Sequence, residues 1–456
     1  MSDVGTPSVV LRRERAQRSV ARLADAVAAW RKTWLGASEQ TSQIHLVGAT
    51  LERLLVRLAA QATAIADFGG ARGVDGDVAV VERLWRYLAD RFDQRRDPAL
   101  APTLRAADDV IWACTAEVRT LAGPGAPVMP LPLAYLEPAY SPTAIPRATP
   151  PLDLEASDRA LARILAYLPV PLIGLPTSVV AEPWWLVLLA HEVGHHVQYD
   201  LEPDGALIER AGDVLAAAAG PAGDEAERWR GWSREVFADA FAVATAGAAA
   251  IAATVELEWD APAAMADERG AYPPALIRLA LMIEVGRALG VASVEGVAPT
   301  LAALDEVAGG ITDDAVRAAT RERLRRASIA AAALVAMPIG VDTLATLAAR
   351  FGGGDERPLD RALGGAMLGL DRGRIRPLRA ASGAFRAYRA LAAVGDATSR
   401  ARALGGLGGR TLPVIAQVRE HHDVLRGDGG AAAGPAVDAL VDGIEGLLRA
   451  TERGRR

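Results

Sequence analysis

The sequence predicts a mainly α protein with a small β element, and three observations carry that expectation. Apolar residues recur at helical spacing along most of the 456 residues, as at Leu51, Leu54, Leu55 and Leu58 in "LERLLVRLAA". Clusters of Gly, Asp and Pro separate these runs. One stretch alone, "PVPLIGLPTSVVAEP" at 169–183, reads as short extended segments.

Taken in order, residues 8–36, 42–67, 77–96 and 98–121 show the period of amphipathic helices. "DFGGARGVDGD" punctuates the series before the third, and Pro102 suits the first turn of the fourth. These form an expected N-terminal helical domain, 1–122. In "GPGAPVMPLPLAYLEPAYSPTAIPRATPPLDL", 123–154, proline removes backbone donors and fixes φ, which gives an extended connector, either a plain linker or a strap across another domain. The helical pattern returns from about 155, continues through "LLAHEVGHHVQYD" at 188–200 and a long helix at 223–247, and restarts at 271–289 with Pro274 in the first turn. Residues 155–290 are the expected core domain. From 291 to 456 the sequence reads as helix after helix, a C-terminal helical domain.

Composition narrows the function. A 51% hydrophobic chain of this length can bury a sizeable core, and a net charge of −6 provides no basic field to recruit nucleic acid. The apolar runs 241–255 and 327–341 are Ala-rich, and both fall short of the roughly 20 residues a membrane span needs. They are expected as buried helices, so no membrane insertion is expected. The N-terminus carries charge where a signal peptide has an apolar stretch, which makes the cytoplasm the expected location. Cys114 stands alone, so any metal must be held by His and carboxylates; beside Trp112 it reads as inert packing.

Three of the six histidines crowd into the run at 188–200. On a helix, residues four apart lie about 40° apart on one face, so His191 and His195 can turn two imidazoles toward one ion with Glu192 beside them. This is the HExxH pattern of zinc hydrolases, in which the Glu takes a proton from water. A second pair at the same spacing, Glu235 and Asp239 in "WSREVFADAF", sits among Val236, Phe237, Ala238, Ala240 and Phe241. A carboxylate in such surroundings needs a partner. Glu235 is the candidate third ligand, and Asp239 the candidate acceptor for the Nδ1 proton of a ligating His. One Zn2+ per chain is the expected cofactor.

With "HEVGH", "EVFAD" and "YPPALIR" (272–278), the stretch 170–290 resembles the Glu-zincin metallopeptidases, within them the family of the membrane-bound CAAX prenyl protease and the bacterial heat-shock protease. The resemblance implies a zincin-like metallopeptidase core flanked by helical domains, with His191, His195 and Glu235 binding zinc, Glu192 as general base and Asp239 behind the ligands. Two features depart from the family. Tyr272 stands where the family has a histidine before the Pro pair, and the family's membrane helices are missing. Tyr272 is either a donor to the developing oxyanion or a residue packed at a helix entrance. Arg278 can anchor its helix through a carboxylate.

The expected activity is zinc-dependent hydrolysis of peptide bonds in a peptide or protein substrate. The alternatives are a zinc amidase acting on a non-protein amide, and an inactive helical interaction protein that keeps the core. The extended patch at 171–182 is the candidate edge strand for pairing with substrate. His196 lies about 140° around the helix from His191 and reads as packing or a hydrogen bond, and His45 as a core or half-exposed residue. His421 and His422, adjacent in sequence, read as a solvated polar face, and Trp184 and Trp185 as core or pocket wall.

Overall fold

The computed structural model describes residues 8–34, 41–121, 131–146, 149–151, 154, 158–168, 170–202, 204–291, 299–351, 357–365, 370, 376–418 and 433–453. His421 and His422 lie outside them. The described residues are mainly helical with a small sheet. Their contacts define two compact units, one within 1–94, 145–172 and 421–456, the other within 95–144 and 173–420. Each unit is discontinuous in sequence, whereas the sequence reading divides the chain into four consecutive segments.

The first unit contains the helices Val9–Trp34, Thr41–Thr63, Phe68–Asp93, Arg159–Tyr167 and Ala433–Arg453. The apolar spacing that predicts the second of these is its buried stripe, since Leu51, Leu54, Leu55 and Leu58 are all inside. Phe92 packs edge-on against Trp30, with ring centroids 5.6 Å apart. The third helix begins at Phe68, well before the expected 77, because Asp67 caps it by accepting from Gly70 N at 2.6 Å. The glycines read as punctuation therefore lie within the helix.

The second unit carries the chemistry-bearing motifs and nearly all of the three-stranded sheet, built from β1 (Leu133–Glu137), β2 (Thr143–Ile145) and β3 (Leu172–Pro176) in the order β1–β3–β2. Two expectations are corrected here. The extended patch is the central strand, not an edge, and Thr177–Val180 leaves it as a 3-10 helix. Both edges come from the Pro-rich stretch read as a connector, where prolines bracket the short strands and do not interrupt them. A small antiparallel pair, β4 (Pro338–Ile339) and β5 (Asp342–Thr343), turns at Gly340, whose φ is 58°. Only glycine fits there, because a Cβ would lie 2.2 Å from Leu121 O.

The helix Ser233–Ala246 runs through the middle of this unit, buried along nearly its whole length. It packs against Leu189–Leu201, Ala206–Ala219, Ala275–Ala288 and Leu344–Phe351. The long helix expected over 223–247 is broken at Trp232 into Asp224–Gly231 and Ser233–Ala246, and Gly247, at φ 65°, separates the latter from Ala248–Glu258. Among the described residues no helix is long and apolar enough to cross a membrane.

Candidate metal centre

The site lies where the HExxH helix, Leu189–Leu201, crosses the Glu235 helix, Ser233–Ala246. Gly194, one residue before His195, sets how close they come: a Cβ there would lie 2.8 Å from Ala238 Cα and 3.1 Å from Ala238 O. Real side chains do not pack that tightly against backbone, so glycine is what permits this approach. The buried Gln198, one turn on, adds a second tie by donating to Arg234 O at 2.7 Å. Position 194 lies three residues after His191, and position 238 three after Glu235, so the crossing brings the preceding turns together.

Three candidate ligand atoms converge there. His191 Nε2 and His195 Nε2 are 3.1 Å apart, and Glu235 Oε2 is 3.5 Å from each. A tetrahedral zinc with bonds of about 2.0–2.1 Å separates its ligand atoms by about 3.4 Å, so this triangle has the right size. The imidazole rings stand at 88°, aiming both nitrogens at one point without stacking. Among the described residues buried Glu235 Oε2 has no ordinary hydrogen bond, the two imidazole nitrogens at 3.5 Å lying at the outer limit of one, and a cation satisfies such a group. Its pKa is nevertheless lowered; burial alone would raise it, and the two facing imidazoles outweigh burial. Both histidine side chains keep partial exposure, so neither imidazole is sealed from solvent.

Behind the cluster stands a relay of charges. His191 Nδ1 is 2.8 Å from Asp239 Oδ1. Asp239 in turn accepts from Arg278 Nε at 2.8 Å and Nη2 at 2.9 Å, a two-pronged contact with Arg278 on the helix Ala275–Ala288. With Nδ1 turned to a carboxylate, Nε2 is the nitrogen that faces the cluster, and its lone pair serves a metal once any proton there is displaced. Burial depresses the His191 pKa, but the charge and contact of Asp239 prevail and raise it to about 10. The surroundings thus favour positive charge at this point, whether carried by a proton or a metal. Asp239 is held below the usual carboxylate range, since Arg278 and His191 outweigh its burial.

Glu192 is 6% exposed and projects from the first turn of the HExxH helix, close enough to interact electrostatically with both His191 and Tyr272. Tyr272 is 45% exposed, at an isolated bridge with Arg269 just before the Arg278 helix. Its phenol is pushed up to about 12, first by burial and then by Glu235 and Glu192, so it keeps its proton and can donate. Arg278 Cζ lies 6.0 Å from its ring centroid. The structure thus brings His191, His195, Glu235, Asp239 and Arg278 into one connected cluster and leaves Tyr272 at its rim.

The other singled-out residues lie elsewhere. His196 is buried on another face of the HExxH helix. His45 Nδ1 is 3.0 Å from Arg31 Nη2. Trp184 stacks on Tyr388 at 5.1 Å, and Trp185 meets Phe385 edge-on, just before the HExxH helix. Cys114 is buried, and burial pushes its thiol pKa up. Sequence reading missed Gly194 and Ala238, whose smallness was the available signal, and Glu258, which accepts from Arg278 Nη1 at 2.9 Å.

The chain matches no protein-family model, no curated protein and no solved structure.

Proposed function

We propose that this protein is a zinc-dependent metallopeptidase of Glu-zincin type, with its second unit as a zincin-like core. The observation that carries the reading is the convergence of His191, His195 and Glu235 with Asp239 set behind His191. The charges support the same reading. Asp239 and Glu258 pair with the guanidiniums of Arg278 and Arg269, while Glu235 and Glu192 lie beside His191, so with neutral imidazoles two negative charges are left for a divalent cation to neutralise. Two imidazoles and one carboxylate suit zinc, and three protein ligands leave a position for chemistry.

Zinc held by these three residues would supply Lewis acidity, polarising a substrate carbonyl and acidifying water. The rest is the work of the chain. Glu192 takes a proton as the water oxygen bonds to the carbonyl carbon, then delivers that proton to the amine nitrogen as the C–N bond breaks. Asp239, fixed by Arg278, holds His191 in one tautomer. Tyr272 keeps its proton and is the candidate donor to the developing oxyanion.

The test is metal analysis of purified protein, followed by cleavage assays on an unfolded protein and on small amides, with and without chelator. One zinc per chain and chelator-sensitive cleavage of the protein substrate are expected. Cleavage of small amides alone would change the reading to an amidase. Metal-free, inactive protein that stays inactive after zinc is added would overturn it.

A further inference from the structure

The relay behind His191 does not end at Arg278. Glu258, the last residue of the helix Ala248–Glu258, accepts from Arg278 Nη1 at 2.9 Å through Oε1, and through its other oxygen from Arg269 Nη1 at 3.0 Å. One guanidinium therefore spans two carboxylates, with Nε and Nη2 on Asp239 and Nη1 on Glu258. The two-pronged contact aligns the guanidinium with Asp239, and the third, Nη1 on Glu258, ties that group to a further helix. Glu258 is mostly buried, with 17% of its side chain exposed, so little solvent screens the pair.

We infer that Glu258 is a positioning residue for the metal centre: by fixing the Arg278 guanidinium it holds Asp239 against His191 Nδ1, and so sets zinc affinity without touching the ligand cluster. This rests on the zinc reading of the site. Outer partners of a ligating histidine are typically worth 10–100-fold in metal affinity, and Glu258, one contact further out, belongs at the low end. Because it acts through Arg278, its effect must depend on Arg278.

The experiment is a zinc titration of the full chain against a competing chromophoric chelator, with the fold of each variant checked by circular dichroism. Glu258→Ala is expected to weaken zinc about 10-fold, and Glu258→Gln, which keeps an acceptor, by less. In an Arg278→Lys background a single ammonium cannot reproduce the planar fork that holds both carboxylates. Adding Glu258→Ala there is expected to change affinity by less than about twofold, since the pair acts as a unit. Equal losses in the two backgrounds would make Glu258 an independent structural residue and overturn the inference. So would a folded Glu258→Ala variant with wild-type affinity. Wild-type protein that binds no zinc would overturn the zinc reading itself, and the inference with it.

Discussion

His191 is gripped from behind by a relay of contacts at 2.8–2.9 Å through Asp239 and Arg278. Tyr272, a few residues before Arg278 in the chain, is instead 45% exposed and tied to Arg269 by a 3.3 Å backbone bond from its own N–H. One side of the site is fixed by charge pairing and by a helix crossing that only glycine allows. The other side is a phenol at a rim. Ligand atoms must be placed within about 0.2 Å for a metal, whereas an oxyanion donor often reaches its best geometry only with substrate bound. On the proposed zinc reading the contrast follows the demands of the two tasks, and substitutions can stress either side.

The largest effect is expected at the crossing. Gly194→Val places three carbons where a single Cβ already meets Ala238 Cα at 2.8 Å, and overpacking of this kind costs about 1–3 kcal/mol. Zinc binding should be lost and the Tm lowered, read by metal analysis and a thermal melt. A variant holding stoichiometric zinc would mean the helices can part without moving the ligands. Next comes Glu192→Gln, which removes the proton acceptor and leaves the ligand triangle alone. Turnover should fall by about 10²–10⁴ with zinc retained. If this variant lost metal while staying folded, Glu192 would be a ligand and its assigned role wrong.

Tyr272→Phe tests the looser side. A well-aimed oxyanion donor is worth about 10²–10³ in rate, so kcat should drop by that factor with KM, zinc content and Tm nearly unchanged. Full kcat in the Phe variant would place Tyr272 among residues that pack at a helix entrance and leave oxyanion stabilisation to another group.

The sequence made the ligand side far more legible than the rest. Spacing of four on a helix is a local property, so His191 with His195, and Glu235 with Asp239, are readable without knowing where the helices go. That the two pairs meet is a tertiary fact, decided by Gly194 against Ala238, and a glycine inside an HExxH motif does not say what it will touch. The strands at 133–137 and 143–145 were hidden for a related reason. Proline density argues locally against regular structure, yet it is tolerated in short edge strands, where not every N–H must pair. The patch at 169–183 reads as extended, but whether a strand is central depends on partners far away in sequence. Glu258 was invisible because an acidic residue at a helix end has no spacing relation to Arg278 or Arg269.

Asp239→Ala gives the smallest of the four effects and the finest test of the comparison. The aspartate touches His191 at 2.8 Å and receives two Arg278 donors, so its removal frees the imidazole and leaves a buried guanidinium short of a partner. The three ligand atoms are not altered, and the Gly194 crossing still holds the helices together. Zinc should therefore still bind, about 10–100-fold more weakly, because the cost is orientation and tautomer selection, not loss of a ligand. Asp239→Asn separates these contributions, since its carbonyl oxygen can still accept from Nδ1–H while the negative charge is gone. An affinity near wild type in Asn but not in Ala would assign the effect to tautomer and orientation. Equal weakening in both would assign it to charge. Unchanged affinity in both would show that the His191 side is no more firmly held than Tyr272, and the contrast between the two sides would fail.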